Sequence, residues 1–121
     1  MSKTLNIGIA TYEDFKARSL KIARGELKPG PNEPKVWFPS IESFARVLSA
    51  PNRELLSMIQ TSRPGSLQEL ATLSGRAKSN LSRTLKTMER YGLVEIESAR
   101  GGKMTPHVRY TRFKLEAPLG L

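Results

Sequence analysis

SLQELATLSGRAKSNLSRTLKTMERYGLVEIE, from Ser66 to Glu97, decides how the chain is read, because it sets two short amphipathic runs around one glycine. Ser66 followed three residues later by Glu69 is a capping box, in which each side chain satisfies a backbone amide left free at a helix start. A helix therefore begins there, with Leu67, Leu70, Ala71 and Leu73 expected to face inward. Gly75 supplies the left-handed backbone that a sharp helix exit needs. The next helix is expected from about Lys78 to Tyr91. On a wheel turning about 100° per residue, Leu81, Leu85 and Met88 fall together as its buried stripe. Ser79, Arg83, Lys86 and Arg90 gather on the opposite side, flanked by Asn80, Ser82 and Thr87, with Glu89 as the carboxylate near the edge.

That face has the chemistry for phosphates and base edges. Arginine donates two parallel hydrogen bonds to guanine, asparagine does the same to adenine, and serine and lysine suit backbone oxygens. Read without a ligand, it is a solvated helix surface. The nucleic-acid reading gains from the segment C-terminal to this helix: Gly92 ends the helix, LVEIES alternates as a strand, ARGGKM makes a basic glycine-rich turn, and PHVRYTRFKL alternates as the return strand. This is the pattern of a β-wing. Arg100 and Lys103 stand at its tip, where the loop over 99–104 can reach phosphates or a minor groove. As a bare hairpin it would only aid solubility.

Charge is distributed to match. Of the 121 residues, 75–114 hold ten basic and three acidic side chains, whereas 40–74 hold three of each and 1–39 hold seven basic and four acidic. A local excess of this size attracts a polyanion, which makes nucleic acid the leading partner, with double-stranded DNA expected ahead of RNA. There is no cysteine, which removes disulfides and thiolate sites and suits a reducing compartment, so a cytoplasmic location is expected. No apolar run approaches the roughly 20 residues that span a bilayer, and no membrane contact is expected.

Ahead of the helix pair, LNIGIA has strand length, and Thr11 with Asp14 opens a helix carrying Tyr12, Phe15, Leu20 and Ile22 that should end near Gly25. GELKPGPNEP cannot continue it, because proline lacks the amide donor and clashes with the preceding turn. KVWFPS then reads as a short strand, Ser40 caps a brief helix bearing Ile41, Phe44, Val47 and Leu48, and Pro51 starts another over about 51–61 that stops at Arg63, Pro64 and Gly65. The expected fold class is α+β, mainly α. It divides into an N-terminal strand-helix-strand extension with its linker (1–39) and a DNA-binding unit (40–121). Two short strands are too few for an independent sheet, which predicts that they pair across a homodimer or against a partner.

GRAKSNLSRTLKTMERYGLVE resembles the recognition helix of winged helix-turn-helix regulators of the MarR and ArsR type and its exit into the wing. A wider resemblance, to small archaeal and bacterial DNA-binding proteins of which some are antitoxin-like, rests on Arg24-Gly25-Glu26, KVWFPS, SIESFARVLS, and Pro106, Val108 and Tyr110. Arg76 stands where MarR-type proteins have an apolar turn residue and Ala77 where they often have a capping hydroxyl, so the start of the recognition helix is open. Arg76 could instead meet a phosphate.

The resemblance implies a sequence-specific transcriptional regulator, expected to be a repressor. Its DNA-binding residues are taken as Arg76, Lys78, Ser79, Asn80, Ser82, Arg83, Lys86, Thr87, Arg90, Arg100 and Lys103. The alternative is an antitoxin-type module that binds a toxin and represses their shared promoter. Catalysis finds little support. His107 is the single histidine, without a nucleophile arrangement around it, and reads as a surface residue. Gly101 and Gly102 lack the GK[ST] context of a phosphate loop, and Trp37 reads as a core or interface residue. No metal or cofactor is expected.

Overall fold

Among the described residues, four of the five α-helices begin directly after a side-chain hydroxyl. In a computed structural model, which describes residues 3–30, 33–98 and 100–120, the side chains of Thr11, Ser40, Ser49 and Ser66 accept the amides of Asp14, Ser43, Asn52 and Glu69. They open α1 (Tyr12–Ala23), α2 (Ile41–Val47), α3 (Ala50–Ser62) and α4 (Leu67–Ser74). At Ser66 the box is extended: the Glu69 carboxylate accepts the amide of Gly65 at 2.9 Å. The fifth helix, α5 (Lys78–Tyr91), follows Ala77 and has no side-chain cap. The chain is thus α+β, with five strands among the described residues: β1 (Thr4–Ile9), β2 (Val36–Phe38), β3 (Glu95–Ser98), β4 (Met104–His107) and β5 (Arg112–Glu116).

The strands form two sheets. In the first, β1 is central and pairs in parallel with β2 on one side and β5 on the other. Parallel pairing needs long crossovers; α1 provides the one between β1 and β2, and the helices and second sheet fill the rest. The second sheet is the antiparallel pair β3–β4. The two N-terminal strands therefore do not lack a third. It comes from the far end of the same chain, and no second molecule is required to complete the sheet.

Alternation along β1 sends Leu5, Ile7 and Ile9 to one face, where with Val36 and Phe38 they are buried against Leu48, Leu55, Ile59, Leu67, Leu70, Leu81, Leu85, Met88, Leu93 and Val94 in one cluster. Gly8 on the opposite face lies under Trp37, whose ring also meets Phe15 at 5.9 Å and the Arg18 guanidinium at 5.4 Å. Arg18 in turn is ion-paired to Glu33.

Two further expectations from the sequence change. Leu73 is 48% exposed rather than inward; on a wheel about Leu70, Leu67 and Ala71 lie to one side and Leu73 to the other, so the helix cannot bury all four. PHVRYTRFKL is not one return strand. Only Met104–His107 pairs with β3, and after Val108 and Tyr110 turn toward the core the chain joins β1 as β5. Among the described residues no helix is long and apolar enough to cross a membrane.

Candidate nucleic-acid interface

Gly75 closes α4 in the left-handed region (φ 72°, ψ 9°), its amide donating to Ala71 at 2.9 Å. Only Arg76 and Ala77 then separate it from α5. Leu81, Leu85 and Met88 are fully buried against the α4 side, as their spacing predicts. The wheel therefore turns the other side of α5 to solvent. Ser79, Arg83, Lys86 and Arg90 are exposed there; Asn80 is exposed and Ser82 and Thr87 are half-buried at its margins, and Lys78 is exposed at the first turn, on the side of Leu81.

The margins have local work. The Thr87 hydroxyl donates to the Arg83 carbonyl at 3.2 Å and lies 3.4 Å from Nη2 of Arg90, which donates to it. Thr87 thus steers Arg90 and has less freedom to meet a ligand. Arg76 is half-buried, and its Nη1 donates to Oδ1 of Asn52 at 3.1 Å, while Nδ2 of Asn52 donates to the Val47 carbonyl at 2.9 Å. The arginine is braced across the first turn of α3. Asn52 was not visible as a site residue in the sequence, since the contact spans 24 positions and no local pattern encodes it.

The absence of a cap on α5 has an electrostatic meaning. Its first-turn amides keep no side-chain acceptor, and they sit at the positive end of a helix dipole beside Lys78. This is a place where an anion is favoured.

Next to α5 the β3–β4 hairpin pairs Glu95 with His107, Ile96 with Pro106, Glu97 with Thr105 and Ser98 with Met104. Thr105 ties it down by donating to the Gly65 carbonyl at 2.9 Å, in the turn before α4. The hairpin tip turns through Arg100–Gly102, with Gly101 and Gly102 both at positive φ. Lys103 is exposed there; Ala99 and the Arg100 side chain lie outside the described residues.

Glu97 meets His107 at 3.1 Å and Glu95 meets Arg109 at 3.0 Å, all four side chains being exposed. Among the described residues Lys78, Arg83, Lys86, Arg90 and Lys103 take part in no ion pair. Both hairpin carboxylates thus have a partner beside them, and the unpaired cations of α5 make its face a positive surface.

The model of a protein family described as HVO_A0114 matches residues 47–115, from the last residue of α2 to Leu115 in β5, more than half of the chain. No curated protein matches it.

Proposed function

We propose that the chain, which belongs to the HVO_A0114 family, is a DNA-binding transcriptional regulator of the winged helix-turn-helix kind. In this reading α4, the turn at 75–77 and α5 are the helix pair, and β3–β4 is the wing. The observation that carries it is the α5 face: Ser79, Arg83, Lys86 and Arg90 are exposed opposite a stripe that is fully buried, with Asn80 exposed at the edge, on a 14-residue helix. At about 1.5 Å per residue such a helix is roughly 20 Å long, a length that lies readily in a major groove about 12 Å wide.

Arg83, near the middle of the face, and Asn80 take base edges. Lys78, Ser79, Lys86 and Arg90 take phosphates, with the uncapped start of α5 offering amides to one of them. Ser82 and Thr87 border this contact, Arg76 flanks it, and Arg100 and Lys103 extend it through the wing. The regulator acts as a homodimer on an inverted repeat, its two α5 helices meeting successive major grooves about 34 Å apart. Repression results where the repeat overlaps a promoter.

The test is selection of bound genomic fragments, with titration of the wild type and of Arg83→Ala on the selected site and on random DNA. Arg83→Ala should cost roughly 1–3 kcal/mol on the selected site and little on random DNA. Equal losses on both would reject base reading, and no retention of any fragment at low salt would reject the function.

The antitoxin reading draws on α1. None of its side chains is fully buried, and Tyr12, Phe15 and Leu20 are exposed along it. Such a helix is a surface for a protein partner, and a toxin encoded beside this chain would be retained by the wild type and lost on Tyr12→Ala/Leu20→Ala.

A further inference from the structure

The two edges of the three-stranded sheet differ. At β2 the edge is finished, with Val36 and Phe38 buried. At β5 every residue from Arg112 to Glu116 is exposed. Register with β1 sets Phe113 beside Leu5 and Leu115 beside Ile7, on the core face, yet both remain 40% exposed while Leu5 and Ile7 are buried. Phe113 is held edge-on to Phe44 at 5.7 Å. The core thus runs out at β5, beside a cavity of about 350 Å³ walled in part by Leu56, Leu93 and Tyr110.

The backbone direction of this edge is set by the ladder. Asn6 accepts from Lys35 and Ala10 donates to Phe38, so even-numbered residues of β1 address β2, while Lys3 accepts from Thr111 and odd-numbered residues address β5. Arg112, opposite Thr4 and so between Lys3 and Leu5, turns its backbone toward β1, as do Lys114 and Glu116. The amides and carbonyls of Phe113 and Leu115 face outward, unclaimed by the sheet. Natural edges are usually blunted by bulges, proline or charge; within β5 the charges are Arg112, Lys114 and Glu116.

Those charges select one way to continue the sheet. In an antiparallel pair of two β5 strands centred on Lys114, Arg112 opposes Glu116 at either end but lysine opposes lysine directly at the axis, a like-charge pair that destabilises. Centred on Phe113, Arg112 opposes Lys114. Centred on Leu115, Lys114 opposes Glu116 of the second copy and Glu116 opposes Lys114, at close non-hydrogen-bonded positions. Leu115 and Phe113 then use their outward backbone groups against Leu115 and Ala117 of the second copy, and their side chains cover each other on the core face.

We infer that two copies of the chain join through β5, antiparallel about a two-fold axis at Leu115, into one six-stranded sheet. The inference rests on the dimeric reading of the regulator and names the surface and register that make the dimer. The interface is isologous, with the same strand contributing on both sides, as a closed two-fold assembly requires.

The test is charge exchange. Lys114→Glu alone sets carboxylates against carboxylates at both positions, and Glu116→Lys alone sets lysines against lysines. Sedimentation equilibrium over a concentration series should show a wild-type dimer and, for each single variant, a dissociation constant raised about tenfold or more. An equimolar mixture of the two variants should regain wild-type association, since each chain then presents the charge that the other lacks. This rescue cannot come from misfolded chains.

A wild type that stays monomeric at about 100 μM, an association weaker than about −5.5 kcal/mol, overturns the inference. So does a dimer indifferent to both single changes, or a mixture no tighter than its components. Neither substitution lies on α5, so the two readings fail separately. A β5-linked dimer that retains no DNA removes the regulator alone, and a chain that binds DNA as a monomer removes this interface and the homodimeric mode while leaving the DNA-binding role.

Discussion

Phe38 stacks on Tyr91, the last residue of α5, with ring centroids 4.3 Å apart and planes 19° from parallel. Phe38 is also edge-on to Phe44 at 5.6 Å. One aromatic from β2 therefore joins the three-stranded sheet to the end of the proposed recognition helix and to α2. Stacked aromatic pairs contribute about 0.5–1.5 kcal/mol beyond their buried area. Tyr91→Ala should destabilise the fold by about 2–4 kcal/mol, whereas Tyr91→Phe, which keeps the ring, should cost less than about 1 kcal/mol. Urea unfolding monitored by circular dichroism measures both, and equal losses would mean that the hydroxyl rather than the stack matters.

Gly8 is required by its neighbour. A Cβ there would lie 2.5 Å and 2.7 Å from two ring carbons of Trp37 and 3.0 Å from Cγ of Pro34. The Gly8 backbone is ordinary strand, so the cost of a side chain is steric. Gly8→Ala should lower stability by about 1–3 kcal/mol. In a Trp37→Ala background the same change should cost much less, because the ring that it strikes is gone. Additive losses in the double variant would contradict a steric origin.

The helical half of the molecule was legible because its signals are local. A hydroxyl cap, a left-handed glycine and a stripe at Leu81, Leu85 and Met88 each act within one or two turns, and the α5 face is fixed by the stripe through geometry alone. The sheet was not legible in the same way. Alternation marks Arg112–Glu116 as extended but says nothing about its partner, and β1 lies 108 residues away in register. Nor does alternation reveal the break before β5, where the Thr111 amide binds the Lys3 carbonyl at 3.0 Å and draws the chain from the hairpin to the first sheet. The brace from Asn52 to Arg76 and the tie from Thr105 to Gly65 are likewise tertiary. They depend on how the helices pack, which no spacing rule states.

Gly75 tests the turn of the helix pair. Its φ is 72°, and a Cβ there would meet nothing within 4 Å, so a substitution feels only the left-handed backbone. Gly75→Ala should cost about 1–2 kcal/mol, and Gly75→Asn less, because asparagine tolerates this region. Thermal unfolding ranks the three proteins. If alanine and asparagine were equally costly, a buried contact rather than the backbone would have to be at work.

Phosphate contacts show themselves in salt dependence, which separates exposed bases that meet DNA from those that do not. Lys86 is exposed on α5 and takes part in no ion pair among the described residues. Arg109, on the other hand, is held to Glu95 at 3.0 Å. A contact to B-DNA contributes a slope of about −0.9 to log K against log salt. Lys86→Ala should therefore reduce the slope by about 1 and weaken selected and random DNA alike. Arg109→Ala should leave the slope unchanged, because its guanidinium is already committed to a carboxylate. Titrations by fluorescence anisotropy at several potassium chloride concentrations give both slopes. Equal reductions for the two variants would place the hairpin's outer face, and not α5 alone, against the phosphates.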